Sequence, residues 1–247
     1  MATLEELNVR SEWVAHEFRV MGREHGWLIK KTGVESLFSN RLGVLKYLQY
    51  QFSPVSLMLR SQPDMIFHGN NDAIYSFEVK AVEDAHDNVA VEAWQFLYLY
   101  TLYLSLGVET YYVFGWPVND IELHGRITVV SKLPLTKFYI TPKYLSWNEG
   151  LRKPLEKLIK EYYPGIERRN LTEGHGGSGD PYFVFPKEAL RGFQTIADWF
   201  KAKGEQSFSI QDRIAWEGMK EAKEHWKSWR YKEWLRIHSS KNDTGRQ

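Results

Sequence analysis

An α/β fold, a mixed β-sheet flanked by helices and followed by a mostly helical C-terminal extension, is what the sequence predicts. Three observations carry that expectation. Residues 62–80 hold two short apolar runs split by Gly69-Asn70-Asn71-Asp72, the pattern of a β-hairpin. Residues 89–106 form a strongly apolar stretch of helical length, closed by Gly107. Thr110-Tyr111-Tyr112-Val113-Phe114-Gly115 follows at once and is rich in strand formers. A strand, a helix and another strand in succession place the two strands parallel, joined by a right-handed crossover.

The remaining elements follow in order. Thr3 with Leu4-Glu5-Glu6 opens a capping box. Leu7, Trp13, Val14, Phe18 and Val20 carry one or two helices to about His25, and Gly26 ends them. Trp27-Leu28-Ile29 reads as a first strand. Leu42, Leu45, Leu48 and Phe52 share one face of a helix over 41–52, which Ser53-Pro54 interrupts. The hairpin strands come next, then the apolar helix and its following strand. Residues 126–130 and 137–140 are further strands. Past Thr141-Pro142 the character changes, and a soft boundary falls near residue 148. It separates a core, 1–148, from a helical extension or lobe, 149–247. There, residues 154–163 read as a short helix ended by Pro164-Gly165. Residues 187–203 read as an amphipathic helix, and 210 to about 238 as a long Trp-rich one. Gly174 to Pro181 is a flexible loop by composition, without the lysine of a phosphate-cradling Gly-rich loop.

Composition excludes several chemistries. A chain of 247 residues can bury a sizeable core. Its net charge of +1 gives no bulk attraction to nucleic acid, so any basic surface must come from local segregation. Without cysteine there are no disulfides, thiol nucleophiles or thiolate metal sites. The first residues carry no basic and apolar signal pattern. The most apolar stretch, 93–107, contains Gln95 and is too short to cross a bilayer. An intracellular protein with no membrane partner is expected.

The chemistry concentrates at the hairpin. In a strand, residues two apart point to one face, so Glu78 and Lys80 project together. Asp64 opens the partner strand near the same end. Two carboxylates hold a divalent metal, and a lysine beside them orients or deprotonates a water. Those are the parts needed to hydrolyse a phosphodiester. The plainer reading is a solvated hairpin with an exposed Glu–Lys pair.

Pro63-Asp64, thirteen intervening residues and Glu78-Val79-Lys80 resemble the motif of the PD-(D/E)xK, or restriction-endonuclease-like, nuclease superfamily. The resemblance implies a mixed sheet flanked by helices, Mg2+ dependence with Mn2+ as a substitute, and endonuclease activity on DNA through a metal-activated water. It implies Asp64, Glu78 and the Val79 carbonyl as metal ligands, with Lys80 near the attacking water as base or charge stabiliser. It implies Glu17, nine residues before Gly26, as an additional ligand, with Glu12 as the rival. A surface glutamate on an amphipathic helix is the alternative for Glu17. Gln95, inside the apolar helix, matches a glutamine of related resolvases that lines the site, followed by a glycine and a strand. Leu99 stands where other relatives have tyrosine, and a core hydrogen bond is the other reading of Gln95. Enzymes of this kind that cut both strands often act as homodimers. A catalytically inactive nucleic-acid-binding or assembly protein on the same fold is the competing class.

Beyond that motif, residues 223–247 carry seven Lys/Arg against three Asp/Glu. Lys223, Lys227 and Arg230, interleaved with tryptophans, suit contact with phosphates and unpaired bases. A Trp stripe packed on the core, with Lys and Arg solvated, is the other reading. His16, near Glu17, is a remote site candidate. His68, His86, His124 and His175 lack metal-ligand spacing.

Overall fold

The computed structural model describes residues 4–32, 58–59, 61–82, 86–118, 122–142, 144, 149–170 and 181–209. The expected helices over 41–52 and 210–238, and the Gly-rich loop over 174–180, lie outside the described residues.

Helix α1, Leu4–Glu24, is 21 residues long and stops at Gly26, whose φ of +81° only glycine adopts freely. Strand β1, Leu28–Lys31, pairs antiparallel with β2, Met65–His68. Strand β2 pairs with β3, Ile74–Ala81, across the expected hairpin. The turn is a single 3-10 turn, Asn70–Asp72, with Asn71 and Asp72 both at positive φ, near 60°. Asn and Asp tolerate that region better than other non-glycine residues.

The apolar stretch after the hairpin divides differently from its sequence reading. Asn88–Glu92 is a strand, β4, and helix α2 covers only Ala93–Leu106. The burial pattern explains the change. Val89 and Val91 are buried while Asn88, Ala90 and Glu92 are exposed, a period of two that a helix cannot satisfy. Strand β5, Glu109–Val118, then returns parallel to β3, as the strand–helix–strand order requires. Strand β6, Glu122–Val129, pairs antiparallel with β5.

Among the described residues, those after 148 mix helices with short strands. They comprise α3, Glu149–Tyr162, β8, Glu167–Asn170, β9, Tyr182–Pro186, β10, Gln194–Thr195, and α4, Ile196–Lys203. The expected single helix over 187–203 is broken into a 3-10 turn, Lys187–Gly192, the two-residue β10, and α4. Phe193 is extended, and Thr195 caps α4 by accepting from the Asp198 N–H at 3.0 Å, so a new helix starts there.

Two sheets result. The first has the order β1-β2-β3-β5-β6-β10. The second has the order β4-β9-β7-β8, with β7 at Lys137–Ile140. Strands β9 and β10 therefore join strands that precede residue 148, β4 and β7 in one sheet and β6 in the other. One core fills the space between the first sheet and helices α1 and α4, with Phe18, Phe67, Phe77, Trp199 and Phe200 at its centre. Phe67 and Phe77 meet at 4.5 Å between ring centres. The other core lies on the opposite face, where Tyr112 and Phe114 of β5 meet α2, α3 and the second sheet. Among the described residues, no helix is long and apolar enough to cross a membrane.

The turn at Gly26 is also a junction. Gln206 N–H donates to the His25 carbonyl at 2.9 Å, and a Cβ at Gly26 would lie 1.9 Å from the Gln206 carbonyl oxygen. Replacing Gly26 with alanine combines a forbidden contact with backbone strain of about 1–3 kcal/mol. We expect Gly26→Ala to lower the urea midpoint with the m-value unchanged, as measured by tryptophan fluorescence.

Candidate active site

The site is built at the middle of the first sheet, on the face that α2 covers. Glu78 and Lys80 share that face of β3, and the parallel register sets Glu78 beside Tyr112 and Lys80 beside Phe114. Asp64 stands just before β2, whose register sets Met65 against Phe77, so Asp64 lies opposite the Glu78–Val79 step. Two bonds from β1's end hold it there. The Thr32 N–H donates to the Asp64 carbonyl at 3.0 Å, and the Thr32 hydroxyl donates to the Pro63 carbonyl at 2.7 Å.

The polar groups converge. The Val79 N–H donates to Asp64 Oδ2 at 2.8 Å. Lys80 Nζ lies 2.6 Å from Glu78 Oε1 and donates to Gln95 Oε1 at 3.0 Å. Two of the three ammonium donors are thereby engaged. Gln95, on the first turn of α2, is buried, so its interaction with Lys80 answers what an amide does in an apolar helix. The side chain of Glu78 is 3 % exposed and that of Lys80 26 %. Glu78 Oε2 has no hydrogen-bond partner among the described residues.

Electrostatics follow from that burial. Desolvation first, and then the Asp64 carboxylate, push Glu78 up to about 8, against the pull of Lys80. Burial lowers Lys80, but Glu78, Glu92 and Asp64 outweigh it and hold the ammonium above its ordinary value. With the Glu78 side chain buried, the solvated-hairpin reading does not describe this pair.

Asp64, Glu78 and Lys80 are thus brought together as their strand positions predict; Val79 joins them through its N–H and Gln95 through Lys80. Glu17 is buried on α1, with His16 Nε2 4.0 Å from its Oε1, and Glu12 is half-buried on the same helix. Lys223, Lys227 and Arg230 lie outside the described residues. Two residues here escaped sequence reading. Glu92, which immediately precedes α2, acts by its charge on Glu78 and Lys80. Tyr112 is fully buried; desolvation, then the charges of Glu78, Glu92 and Asp64, raise its hydroxyl well above the ordinary range. The strand alternation of 88–92 was the available signal for Glu92. For Tyr112 only the β3–β5 register supplies one. Among the described residues, no three His, Cys, Asp or Glu side chains group closely enough to hold a metal ion by themselves.

No family model and no curated protein matches the chain. Among solved structures, it is similar to Hjc, a Holliday junction resolvase from the archaeal hyperthermophile Archaeoglobus fulgidus. The two share 12 % identity over 81 % of this chain and 98 % of that one, with a TM-score of 0.39. At that score the likeness carries no argument about what this chain does.

A buried carboxylate held above its free value costs stability wherever it is ionised. Below pH 4.5 Glu78 is protonated whether the chain is folded or unfolded, and its favourable contribution is complete; it is lost as the pH rises through about 8. In EDTA, the stability of Glu78→Gln relative to wild type should therefore grow between pH 5 and pH 8. Urea titrations at several pH values check this; a constant difference would contradict the assignment.

Proposed function

We propose that the chain is a Mg2+-dependent endonuclease that hydrolyses phosphodiester bonds of DNA. The observation that carries this reading is the convergence of Asp64, Glu78 and Lys80, with Gln95 fixing the lysine, inside a sheet rather than on its surface. Burying the Glu78 carboxylate beside a second, half-buried carboxylate is expensive unless a ligand rewards it.

The residues fit a hard divalent cation. Asp64 and Glu78 offer carboxylate oxygens, and Glu78 Oε2 is buried without a hydrogen-bond partner among the described residues. The Val79 carbonyl completes a set of oxygen donors, with waters filling the rest, as Mg2+ prefers. Glu17 is proposed as a further ligand. Mg2+ held there would supply charge neutralisation at the phosphate and acidity to a water. Lys80, steered by Gln95 and Glu78, aims its third N–H at a phosphate or water oxygen and stabilises the charge that grows in the transition state. Tyr112 and the buried wall of α2 lower the dielectric on one side of the site, which strengthens each of those interactions.

Supercoiled plasmid tests the reading. We expect nicking or linearisation with Mg2+, none with EDTA, and none by Asp64→Ala. Removing one such stabilising donor costs about 10²–10³ in rate, so Lys80→Ala should fall in that range while keeping its Mg2+ requirement. Linear product formed without accumulation of nicked circles would report paired sites acting on both strands. Absence of cutting with Mg2+ or Mn2+ on duplex, single-stranded and branched DNA would overturn the assignment.

A further inference from the structure

A groove of about 500 Å3 opens beside the site, lined by Trp116, Arg126, Lys187 and Arg191 together with Asp87 and Glu188. It continues the catalytic face. Strand alternation puts Tyr112, Phe114 and Trp116 on one side of β5, and the antiparallel register sets Arg126 directly against Phe114. Lys80 is set against Phe114 from the other side. Lys80, Phe114 and Arg126 therefore form one row across β3, β5 and β6, all on the face that holds Glu78. Two interstrand spacings separate the two cations' backbones by about 10 Å. Val82, two residues past Lys80, forms part of the groove wall.

Three cations, Arg126, Lys187 and Arg191, face two carboxylates, Asp87 and Glu188, an excess of one positive charge in the groove. Arg126 is fixed by one bond, its Nη1 donating to the Phe193 carbonyl at 3.1 Å, and a guanidinium has further N–H donors in the same plane. Arg191 is exposed on the 3-10 turn that forms the opposite wall. Trp116 is partly buried, packs against the second core, and lines the groove. Planar cations for phosphate and an indole for a base are the pairing used to hold single strands. The volume is that of a site enclosing a small-molecule-sized ligand, the scale of a nucleotide or two. A duplex, whose major groove alone is about 12 Å wide, is too broad to enter it.

We propose that this groove binds the unpaired nucleotides that flank the cleaved bond: the phosphate on Arg126 and Arg191, the base stacked on Trp116. The inference rests on the nuclease reading and deepens it, because it makes the substrate a DNA with a single-stranded or splayed segment at the cut.

The test is equilibrium binding, by fluorescence anisotropy in EDTA, of a fluorescein-labelled oligothymidylate of about twelve nucleotides, within the span that single-strand binders cover. A labelled duplex of equal length is the comparison. Wild type should prefer the single strand. Trp116→Ala should weaken single-strand binding about tenfold, within the range for loss of one stacked base, and Trp116→Phe should restore most of it. Arg191→Ala should lower the salt dependence by about 0.7 in log–log slope, the value for one phosphate contact. Duplex binding should be unchanged in all three variants, and thermal melts confirm that each is folded. If folded Trp116→Ala and Arg191→Ala bind the single strand as wild type does, or if duplex binding falls equally, the groove assignment is wrong. Because binding is read without metal, it separates from the cleavage assay: cutting with an unaffected groove overturns this inference alone, and single-strand binding through the groove without cutting overturns the nuclease reading alone.

Discussion

Burying the Glu78 carboxylate at the centre of a sheet is the constraint to which the surrounding structure answers. A carboxylate in that position needs a cation, and Lys80, two residues along the same strand, supplies it at 2.6 Å. The ammonium then needs a second acceptor, and Gln95 on the crossing helix provides one. Asp64 is tied to the Val79 N–H, which keeps a second carboxylate close enough to raise Glu78. Each group corrects the desolvation of its neighbour, and the sum remains unfavourable for the ionised acid. A chain selected for stability alone would place an apolar residue at 78. On the proposed reading, the stability given up at Glu78 is recovered when a cation binds.

The scaffold that tolerates this is rigid on both faces. On one face, closely spaced phenylalanine rings from α1, β2 and β3 lock the hairpin against the helices. On the other, Ser76 and Thr110 share a buried hydroxyl hydrogen bond of 2.8 Å across the parallel pair, on the same face as Glu78. Gly115 and Gly125 stand directly opposite one another on β5 and β6. A Cβ at Gly115 would lie 2.4 Å from Val14, and one at Gly125 2.6 Å from the Phe114 carbonyl oxygen, so side chains there would push α1 from the sheet and part the strands. The Glu78 carboxylate is thus enclosed between two well-packed layers.

What was legible beforehand divides along a physical line. The hairpin, the parallel return of β5 and the motif residues depend on contacts within about fifty residues, where turn chemistry and period-two alternation speak directly. The strand at Asn88–Glu92 was hidden because its apolar residues run on into those of α2 without a breaking residue. The broken helix over 187–203 was hidden because Gly192 and Phe193 lie inside a stretch whose spacing also suits a helix. The second sheet was illegible: β4 and β9 are about ninety residues apart, and the short strands they form have no local partner.

The sequence by itself determined which groups would meet. Alternation along one strand puts Glu78 and Lys80 on one face, and a two-strand turn brings Asp64 back to them. Tertiary structure alone decided what those groups are. The depth at which Glu78 is buried, the aim of Gln95 at Lys80, the approach of Glu92 and Tyr112, and the row that links Lys80 to Arg126 arise from strand register and from the packing of α2 on the sheet. Side-chain direction is a local property of a strand, whereas dielectric environment belongs to the whole packed body.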